Sequence, residues 1–267
     1  MASVEDEDIL FFLSHYENYE WKYKHIVIDE GQDFANEEIS RLYEIAFFQE
    51  GAFYIFYDKK QFVQGQEFPK WLNDAECRLV LNINCRNTYQ IADTSGKPVD
   101  IQPKVKTRSV SGEMPHFHIC SNVKDAHKTI GKAIDKYRAS NYPYEQICIL
   151  TLGTENSSIM SGIDKVGNHL IRSERDGRGV LFTSARKFKG LEADAIIIVD
   201  FDKDVFSDEE GKRLFYVGSS RAKHNLEIVY VGEDDGISEI TKDLSEQKFP
   251  NAKIGIARCL NVKPITQ

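Results

Sequence analysis

Short apolar stretches alternate with amphipathic ones along the chain. Residues 26–28 (Ile-Val-Ile) are β-branched and apolar on both faces, as in a strand buried within a parallel sheet. Residues 35–48 follow with helical spacing, and residues 52–57 form a second apolar stretch. This order predicts two parallel strands joined by a right-handed crossover. The inward positions predicted for the helix are Ile39, Leu42, Ile45 and Ala46.

The same alternation continues to the end of the chain. Further strands are predicted at residues 79–83, 116–120, 146–152, 180–185, 195–201 and 226–231, the last being the final strand. Helices are predicted to begin near Asn87-Thr88 and to cover residues 123–139. Residues 94–115 and 162–178 are rich in polar residues and predict a linker and an irregular segment. The pattern therefore predicts an α/β fold with doubly wound parallel sheets and flanking helices.

A domain boundary is expected within residues 66–78, around Pro69. It divides a first piece, residues 1–75, from a second piece, residues 76–267. The first piece has the pattern of a partial sheet, whereas the second has that of a complete one.

Composition and charge narrow the classes of protein. The 267 residues are 41% hydrophobic and 28% charged, which is ordinary for a soluble globular protein. The net charge of −8 argues against a surface that binds nucleic acid everywhere, but it allows a local basic groove. No apolar run approaches the roughly 18–20 residues of a membrane span, and the N-terminus is acidic where a signal peptide is basic. We therefore expect a cytoplasmic protein without a membrane partner.

Cysteine and histidine positions give little support for a metal site. The five cysteines are scattered, so no disulfide framework is expected. His116 and His118 alternate on a predicted strand and point the same way, but two histidines alone make a poor metal site.

Polar residues next to the apolar stretches suggest nucleotide chemistry. Ligands of parallel α/β sheets bind outside the carboxyl ends of the strands. The residues assigned to such ends are Asp29 and Glu30, Asp58 with Gln61, Arg86, the run Lys189 to Glu192, and Arg221. Carboxylates can hold Mg²⁺ and polarise water, and arginines can neutralise a transferring phosphoryl group. Singly, an Asp-Glu pair after a strand is more often a helix start, and a lone arginine is usually in a surface ion pair. The set in this order favours nucleotide hydrolysis.

Five segments resemble motifs of the UvrD/Rep-like superfamily 1 DNA helicases. IVIDEGQDF is similar to the Walker B segment of that family, and FYIFYDKKQFV to the motif that follows it. LNINCRNTYQIA resembles the Asn-Tyr-Arg-Ser segment, and TSARKFKGLEADAIIIVDFD the Lys-Gly-Leu-Glu segment. RLFYVGSSRAKHNLEIV resembles the Leu-Tyr-Val-Ala-x-Thr-Arg-Ala segment. The five occur in the family's order.

The resemblance implies a RecA-like P-loop NTPase helicase fold. Residues 1–75 would be a partial first lobe and residues 76–267 a complete second lobe. ATP and Mg²⁺ would be the cofactors. The partner would be DNA, either single-stranded or at a junction of single and double strands.

Roles for individual residues also follow from the resemblance. Asp29 and Glu30 would hold Mg²⁺, and Glu30 would be the catalytic base toward water. Gln61 would sense the γ-phosphate, supported by Gln32 and Asp33. The second lobe would supply Arg86 and Arg221 as arginine fingers, Glu192 as a ribose ligand, and Lys189-Gly190 as a tight turn near nucleotide and DNA.

The sequence departs from the family pattern at several positions. Tyr57 replaces a glycine, Cys85 a tyrosine, and Arg186 the usual histidine. Gly218-Ser219-Ser220 stands where Ala-Leu-Thr is common. These departures indicate a divergent branch.

The phosphate loop Gly-x-x-x-x-Gly-Lys-Ser/Thr is missing from the sequence, so we expect this chain to be inactive alone. Three interpretations remain open. The chain is part of a larger helicase with the loop upstream, a catalytically silent module that binds protein or DNA, or one subunit of a split motor whose partner subunit supplies the loop. Neither a phosphatase nor a receiver-like switch explains both the Lys-Gly-Leu-Glu segment and the Tyr-Val…Ser-Arg-Ala segment.

Overall fold

The computed structural model describes residues 23–58, 72, 75, 77–81, 83–104 and 111–266. The chain divides into two compact units, Met1–Val80 and Leu81–Gln267, and each is described by itself. Within the described residues, no helix is both long and apolar enough to cross a membrane.

The first unit contains the predicted strand–helix–strand arrangement. Strand β1 (Ile26–Ile28) pairs in parallel with β2 (Phe53–Ile55), and helix α1 (Asn36–Phe48) connects them. The four predicted inward side chains of α1 are all buried. One expectation was wrong: Val27 is 62% exposed, so β1 is buried on one face only. Helix α1 packs on the buried face, where Leu42 and Ile45 cluster with Ile26 and Ile28.

The second unit contains an eight-stranded sheet. Its strands are β3 (His116–Cys120), β4 (Ile147–Thr151), β5 (Lys165–Val166), β6 (His169–Arg172), β7 (Val180–Ser184), β8 (Ala193–Phe201), β9 (Ala222–Val231) and β10 (Lys263–Thr266). Their order across the sheet is β10-β3-β9-β8-β4-β7-β6-β5. All neighbours are parallel except β5 and β6, which are antiparallel. The prediction of a large, mostly parallel sheet is confirmed.

Helices cover both faces of this sheet. As a result, successive residues of the central strand β4 are both buried. On β4, Ile149 packs in the cluster that includes Ile134 of the helix Val123–Ala139, whereas Leu150 packs in the opposite cluster with Ile237 of the helix Asp234–Leu244. Apolar runs of this kind are typical of parallel strands covered on both sides. The helices are α2 (Tyr89–Gly96), α3 (Val123–Ala139), α4 (Glu209–Ser219), α5 (Asp234–Leu244) and α6 (Ala252–Leu260).

The region before α2 differs from the prediction. The described positions of the predicted strand 79–83 belong to no strand, and Leu79 is 82% exposed. The predicted helix after it is confirmed, because Thr88 caps α2 by accepting a hydrogen bond from the Ile91 amide. The apolar stretch 79–83 lacks a partner strand among the described residues, and apolar character alone does not make a strand.

Three further expectations about loops and strands were wrong. Residues 94–96 belong to α2, with Thr94 and Ser95 buried, so the linker does not begin there. The segment 162–178 contains the β5–β6 hairpin. Strand β10 follows the strand that was predicted to be the last, and it lies at the edge of the sheet. Strand β10 contains Pro264, and a proline in the sequence argues against a strand because sheets tolerate it mainly at their edges.

Candidate functional site

The turn after β1 holds the two predicted carboxylates in an unusual backbone conformation. Glu30 has φ 51° and ψ 43°, in the left-handed region that is costly for residues other than glycine. Its amide donates to Asp29 Oδ1 at 2.9 Å, and the Gly31 amide donates to the Phe56 carbonyl at 2.8 Å. These bonds fix the turn beside the end of β2. Strained turns of this kind cluster at functional sites.

Gln32 connects the ends of β1 and β2. Its side chain is buried, and its Nε2 donates to Glu30 Oε2. Its Oε1 accepts from the Asp58 amide at 3.1 Å. Gln32 therefore orients Glu30 and ties it to the segment that leads to Gln61, which lies outside the described residues.

In the second unit, an asparagine pair organises the segment around Arg86. Asn84 Oδ1 accepts from the amides of Arg86 and Asn87 at 3.0 and 3.1 Å. Asn84 Nδ2 donates to Asn87 Oδ1 at 2.8 Å. The Asn87 amide group then donates to the carbonyls of Ser220, at 2.8 Å, and Ala222. Asn87 is buried, and it joins the segment that carries Arg86 to the segment that carries Arg221. No role for Asn87 was predicted from the sequence.

Glu192 lies between two basic side chains. Arg86 Nε is 2.9 Å from Glu192 Oε2, and Lys223 Nζ is 2.7 Å from Glu192 Oε1. The hydrogen bond from Lys223, and then the charge of Arg86, hold the pKa of the Glu192 carboxyl below its usual value. All three side chains are partly exposed, so these ion pairs contribute little to folding. They bring together residues from three of the motif segments.

Arg221 is buried, with 2% of its surface exposed. Its Nε donates to the Val217 carbonyl at 3.2 Å, in the last turn of α4, where the helix dipole favours a positive charge. Its own carbonyl accepts from the Ala193 amide at 3.1 Å. Arg221 is thus held where β8 and β9 both begin.

The predicted tight turn at Lys189-Gly190 is present. Gly190 has φ 81°, and the Leu191 amide donates to the Phe188 carbonyl at 3.0 Å. Glycine suits this position because a positive φ costs it nothing. The turn leads directly to Glu192 and the start of β8.

The strand-end argument placed three of these residues at the wrong end of the sheet. Lys189 and Glu192 precede β8, and Arg221 precedes β9, so they lie at the amino ends of parallel strands. Arg86 follows no strand among the described residues. The rule about carboxyl ends assumes that the chemistry follows each strand, whereas here it lies in the turns that lead into β8 and β9.

The carboxyl ends of the same strands border a different feature. A cavity of about 620 Å³ lies there, after β4 and β8. Its charged lining is mostly acidic, with Asp200, Asp202, Asp204, Asp208 and Glu210 against Arg186. Such a lining repels phosphates, so the amino ends are the better candidate for nucleotide and nucleic-acid contacts.

Sequence reasoning missed two basic residues beside Glu192. Lys223 forms the ion pair described above, and Arg175 Nη2 donates to the Glu192 carbonyl at 2.7 Å. The Arg175 guanidinium also lies 5.1 Å from the Phe188 ring centroid, as in a cation–π contact. We call Arg86, Arg175 and Lys223 the basic patch. Lys223 could have been found from the sequence, because it directly follows the Arg-Ala pair of the last motif. Arg175 could not, because it lies in a segment that resembles no motif of the family.

Comparison with known proteins supports the family resemblance over one part of the chain. Residues 179–229 match the family model of the UvrD-like helicase C-terminal domain. This match covers β7, β8, α4 and most of β9, including the predicted residues Lys189, Gly190, Glu192 and Arg221. The predicted resemblance to UvrD-like helicases is confirmed there.

A solved structure is also similar to the chain. It is the C-terminal domain of a possible DNA helicase from Lactobacillus plantarum WCFS1, with 21% sequence identity and a TM-score of 0.45. The similarity covers 56% of this chain and 89% of that chain. No match is found among curated proteins.

Proposed function

We propose that this chain is the C-terminal part of an ATP-dependent DNA helicase or translocase of the UvrD/Rep type. Residues 1–75 would be a partial RecA-like first lobe and residues 76–267 the second lobe. The observation that carries the proposal is the meeting of three motif segments at the amino ends of β8 and β9. Asn87 bonds the backbone on both sides of Arg221, while Arg86 and Lys223 share Glu192.

In the first unit, the turn after β1 would serve Mg²⁺ and the attacking water. Carboxylate oxygens are the protein ligands that Mg²⁺ prefers, and Asp29 and Glu30 would hold the ion. Glu30 would accept the proton of water as the general base. Its hydrogen bond from Gln32 keeps the carboxylate oriented, which supports this assignment. Gln61 would sense the γ-phosphate of ATP.

In the second unit, arginine chemistry would act on the phosphates of ATP. A guanidinium can bind two phosphate oxygens at once, so Arg86 would exchange its carboxylate partner for phosphate. Arg221 would be the second arginine finger, and Glu192, once released, would accept a hydrogen bond from the ribose. Lys189 and Gly190 would place their turn beside the nucleotide and DNA.

Within the basic patch, Arg175 and Lys223 would contact the DNA backbone, while Arg86 is assigned to ATP. A chain with a net charge of −8 can bind phosphates only where basic side chains concentrate. Arg86, Arg175 and Lys223 concentrate around one carboxylate, and their side chains reach the surface. Single-stranded DNA or a single/double-strand junction is the expected form.

The test of ATP hydrolysis uses the chain combined with the phosphate loop, either in one polypeptide or with a partner subunit. Glu30→Gln should leave ATP binding intact and lower hydrolysis by about 10²–10⁴-fold. Arg86→Gln should lower it by about 10³–10⁵-fold. Arg178→Gln is the matched control, because the side chain of that exposed arginine, within the described part of the chain, has a 3.7 Å ion pair with Asp176 alone. A rate near wild type for Glu30→Gln would refute the role of Glu30.

DNA binding is tested separately on the chain itself, by fluorescence anisotropy with single-stranded DNA over a range of salt. Lys223→Gln should reduce the salt slope by about 0.7 for the lost phosphate contact. Lys203→Gln is the control, since Lys203 lies just after β8, at the opposite end of the sheet, and pairs with Glu239. Salt-dependent DNA binding by the chain, together with no ATP hydrolysis when the phosphate loop is supplied, would favour the interpretation as a catalytically silent module. A flat salt response would contradict a phosphate-binding patch.

A further inference from the structure

Three side chains that can bind a metal converge between β3, β9 and α3. His116 and His118 lie on β3, and Glu227 lies on the neighbouring strand β9, directly opposite His116. His116 Nδ1 is 3.1 Å from Glu227 Oε2, and His118 Nε2 is 2.7 Å from the same oxygen. The potential ligand atoms of the three residues all lie within 4.8 Å of one another. Two histidines alone were a poor site, but the fold adds a third ligand 109 residues away.

We propose that His116, His118 and Glu227 form a binding site for a divalent transition-metal ion, for which Zn²⁺ is the best match. Two histidines and one glutamate are a known zinc ligand set. With metal–ligand distances of about 2.0–2.2 Å and tetrahedral geometry, neighbouring ligand atoms lie roughly 3.4 Å apart. The observed separations at Glu227 are shorter than this by less than 1 Å. Small side-chain rotations would therefore open the space that an ion needs.

The charge balance at Glu227 also favours a cation. Only 3% of its side chain is exposed, and a buried carboxylate without a positive partner is costly. Both histidines and Tyr137 lie within hydrogen-bonding distance of its two oxygens. Among the described residues, the ammonium that pairs with Glu227 is that of Lys136, whose Nζ is 4.0 Å away and is also 2.9 Å from Glu113. A divalent ion would supply the compensating charge directly.

An outer shell already supports the carboxylate. Tyr137 of α3 donates its hydroxyl to Glu227 Oε1, which leaves Oε2 for the ion. Outer hydrogen bonds of this kind orient metal ligands, and their loss weakens binding by about 10–100-fold. His118 Nδ1 is buried without a hydrogen-bond partner among the described residues. An outer hydrogen bond is therefore present at the Glu227 carboxylate, whereas the His118 ring has none at Nδ1 within the described residues.

The ion would join the two strands behind the candidate functional site. Strand β9 begins immediately after Arg221 and contains Lys223 as well as Glu227. A metal bridge from β9 to β3 would fix this strand from the α3 face. The ion would hold the two strands together and take no part in the proposed ATP chemistry. Three protein ligands leave the fourth position to a water molecule.

The test is a titration of the metal-free chain with Co²⁺, followed by displacement with Zn²⁺. We expect one equivalent of Co²⁺ to give the visible absorption of a four-coordinate site, and Zn²⁺ to remove it and raise Tm. His116→Gln keeps a hydrogen-bonding group near Glu227 but removes a ligand. It should weaken binding by more than the roughly 100-fold upper bound for an outer-shell change. Tyr137→Phe should weaken it by about 10–100-fold.

The matched control is His169→Gln. His169 is also a buried histidine, hydrogen-bonded to Asp135 at 2.9 Å and to Tyr144 at 3.0 Å. Among the described residues, it belongs to no cluster of metal-ligating side chains. This variant should bind one equivalent with wild-type affinity. Equal binding by His116→Gln and His169→Gln would overturn the proposal, as would wild-type protein that shows no saturable binding.

Nuclear magnetic resonance of the wild-type chain keeps the test independent of how the variants fold. Zn²⁺ should shift the imidazole C–H signals of His116 and His118 and leave that of His169 in place. Binding at the exposed thiols of Cys77 and Cys85 would leave the two histidine signals unshifted. That result would also overturn the proposal.

Discussion

Asn87 offers the sharpest test of how the motif segments are held together. Asn87→Asp preserves the size of the side chain but removes both amide donors. The carboxylate would then face the carbonyl oxygens of Ser220 and Ala222, which now accept from Asn87. A buried acceptor facing other acceptors is worse than a simple loss of the bonds.

The expected magnitude follows from the bonds that are lost. Asn87→Asp loses two side-chain hydrogen bonds to buried backbone, whereas the bond that Asn87 Oδ1 accepts from Asn84 Nδ2 can also form to a carboxylate. At about 0.5–1.5 kcal/mol each, with an added cost for unsatisfied carbonyls, the loss is about 2–4 kcal/mol. For a unit of this size, such a loss lowers Tm by roughly 4–16 °C. Thermal unfolding followed by far-ultraviolet circular dichroism measures the change.

Asn225→Asp is the matched control. Asn225 donates one side-chain hydrogen bond, to the Tyr142 hydroxyl at 3.0 Å, so its loss should cost only about 1 kcal/mol. If the two variants lowered Tm equally, Asn87 would not be the link between the segments of Arg86 and Arg221.

Three further expectations concern other parts of the second unit. Gly190→Ala should destabilise the chain by about 1–2 kcal/mol, because Gly190 has φ 81° and a Cβ there is strained even where space is open. Urea unfolding measures the free energy of unfolding, and an unchanged value would contradict the turn. Phe117→Ala should cost about 3–5 kcal/mol in the same assay, since Phe117 is fully buried against Phe201 and Tyr230. The lowered pKa of Glu192 means that its stabilising contribution is present above the usual value of 4.5 and is lost as pH falls through the lowered value. Lys223→Gln should therefore raise the Glu192 titration midpoint seen by carboxyl nuclear magnetic resonance, and an unmoved midpoint would argue against the ion pair.

Local patterns predicted several elements well. Strand β3 and helix α3 occupy the predicted residues 116–120 and 123–139, because alternation and helical spacing are properties of neighbouring residues. Apolar runs gave β4, β7 and β8 for the same reason, since both faces of those strands are buried. The hairpin β5–β6 and the edge strand β10 escaped detection, because edge strands need less apolar character and one of them contains a proline.

The sequence predicted individual residues of the candidate site, but it did not predict how their side chains contact one another. The motif resemblance selected Glu192 and Arg221 before any geometry, and it passed over Asn87, Arg175 and Lys223. Those three act through contacts with distant segments, such as the bond of Asn87 to Ser220, 133 residues away. No local spacing signals a contact of that separation.

The sequence by itself determined the α/β class, the alternating strands and helices, and the likeness to UvrD-like helicases that residues 179–229 confirm. These depend on short-range periodicity and on motifs read in one dimension. Only the tertiary structure decided that β3 lies beside β9, so that Glu227 meets His116 and His118. It also decided that Glu192 and Arg221 lie at the amino ends of their strands. The order of strands in a sheet is a choice among non-local pairings, and the pattern of one strand does not specify its neighbour.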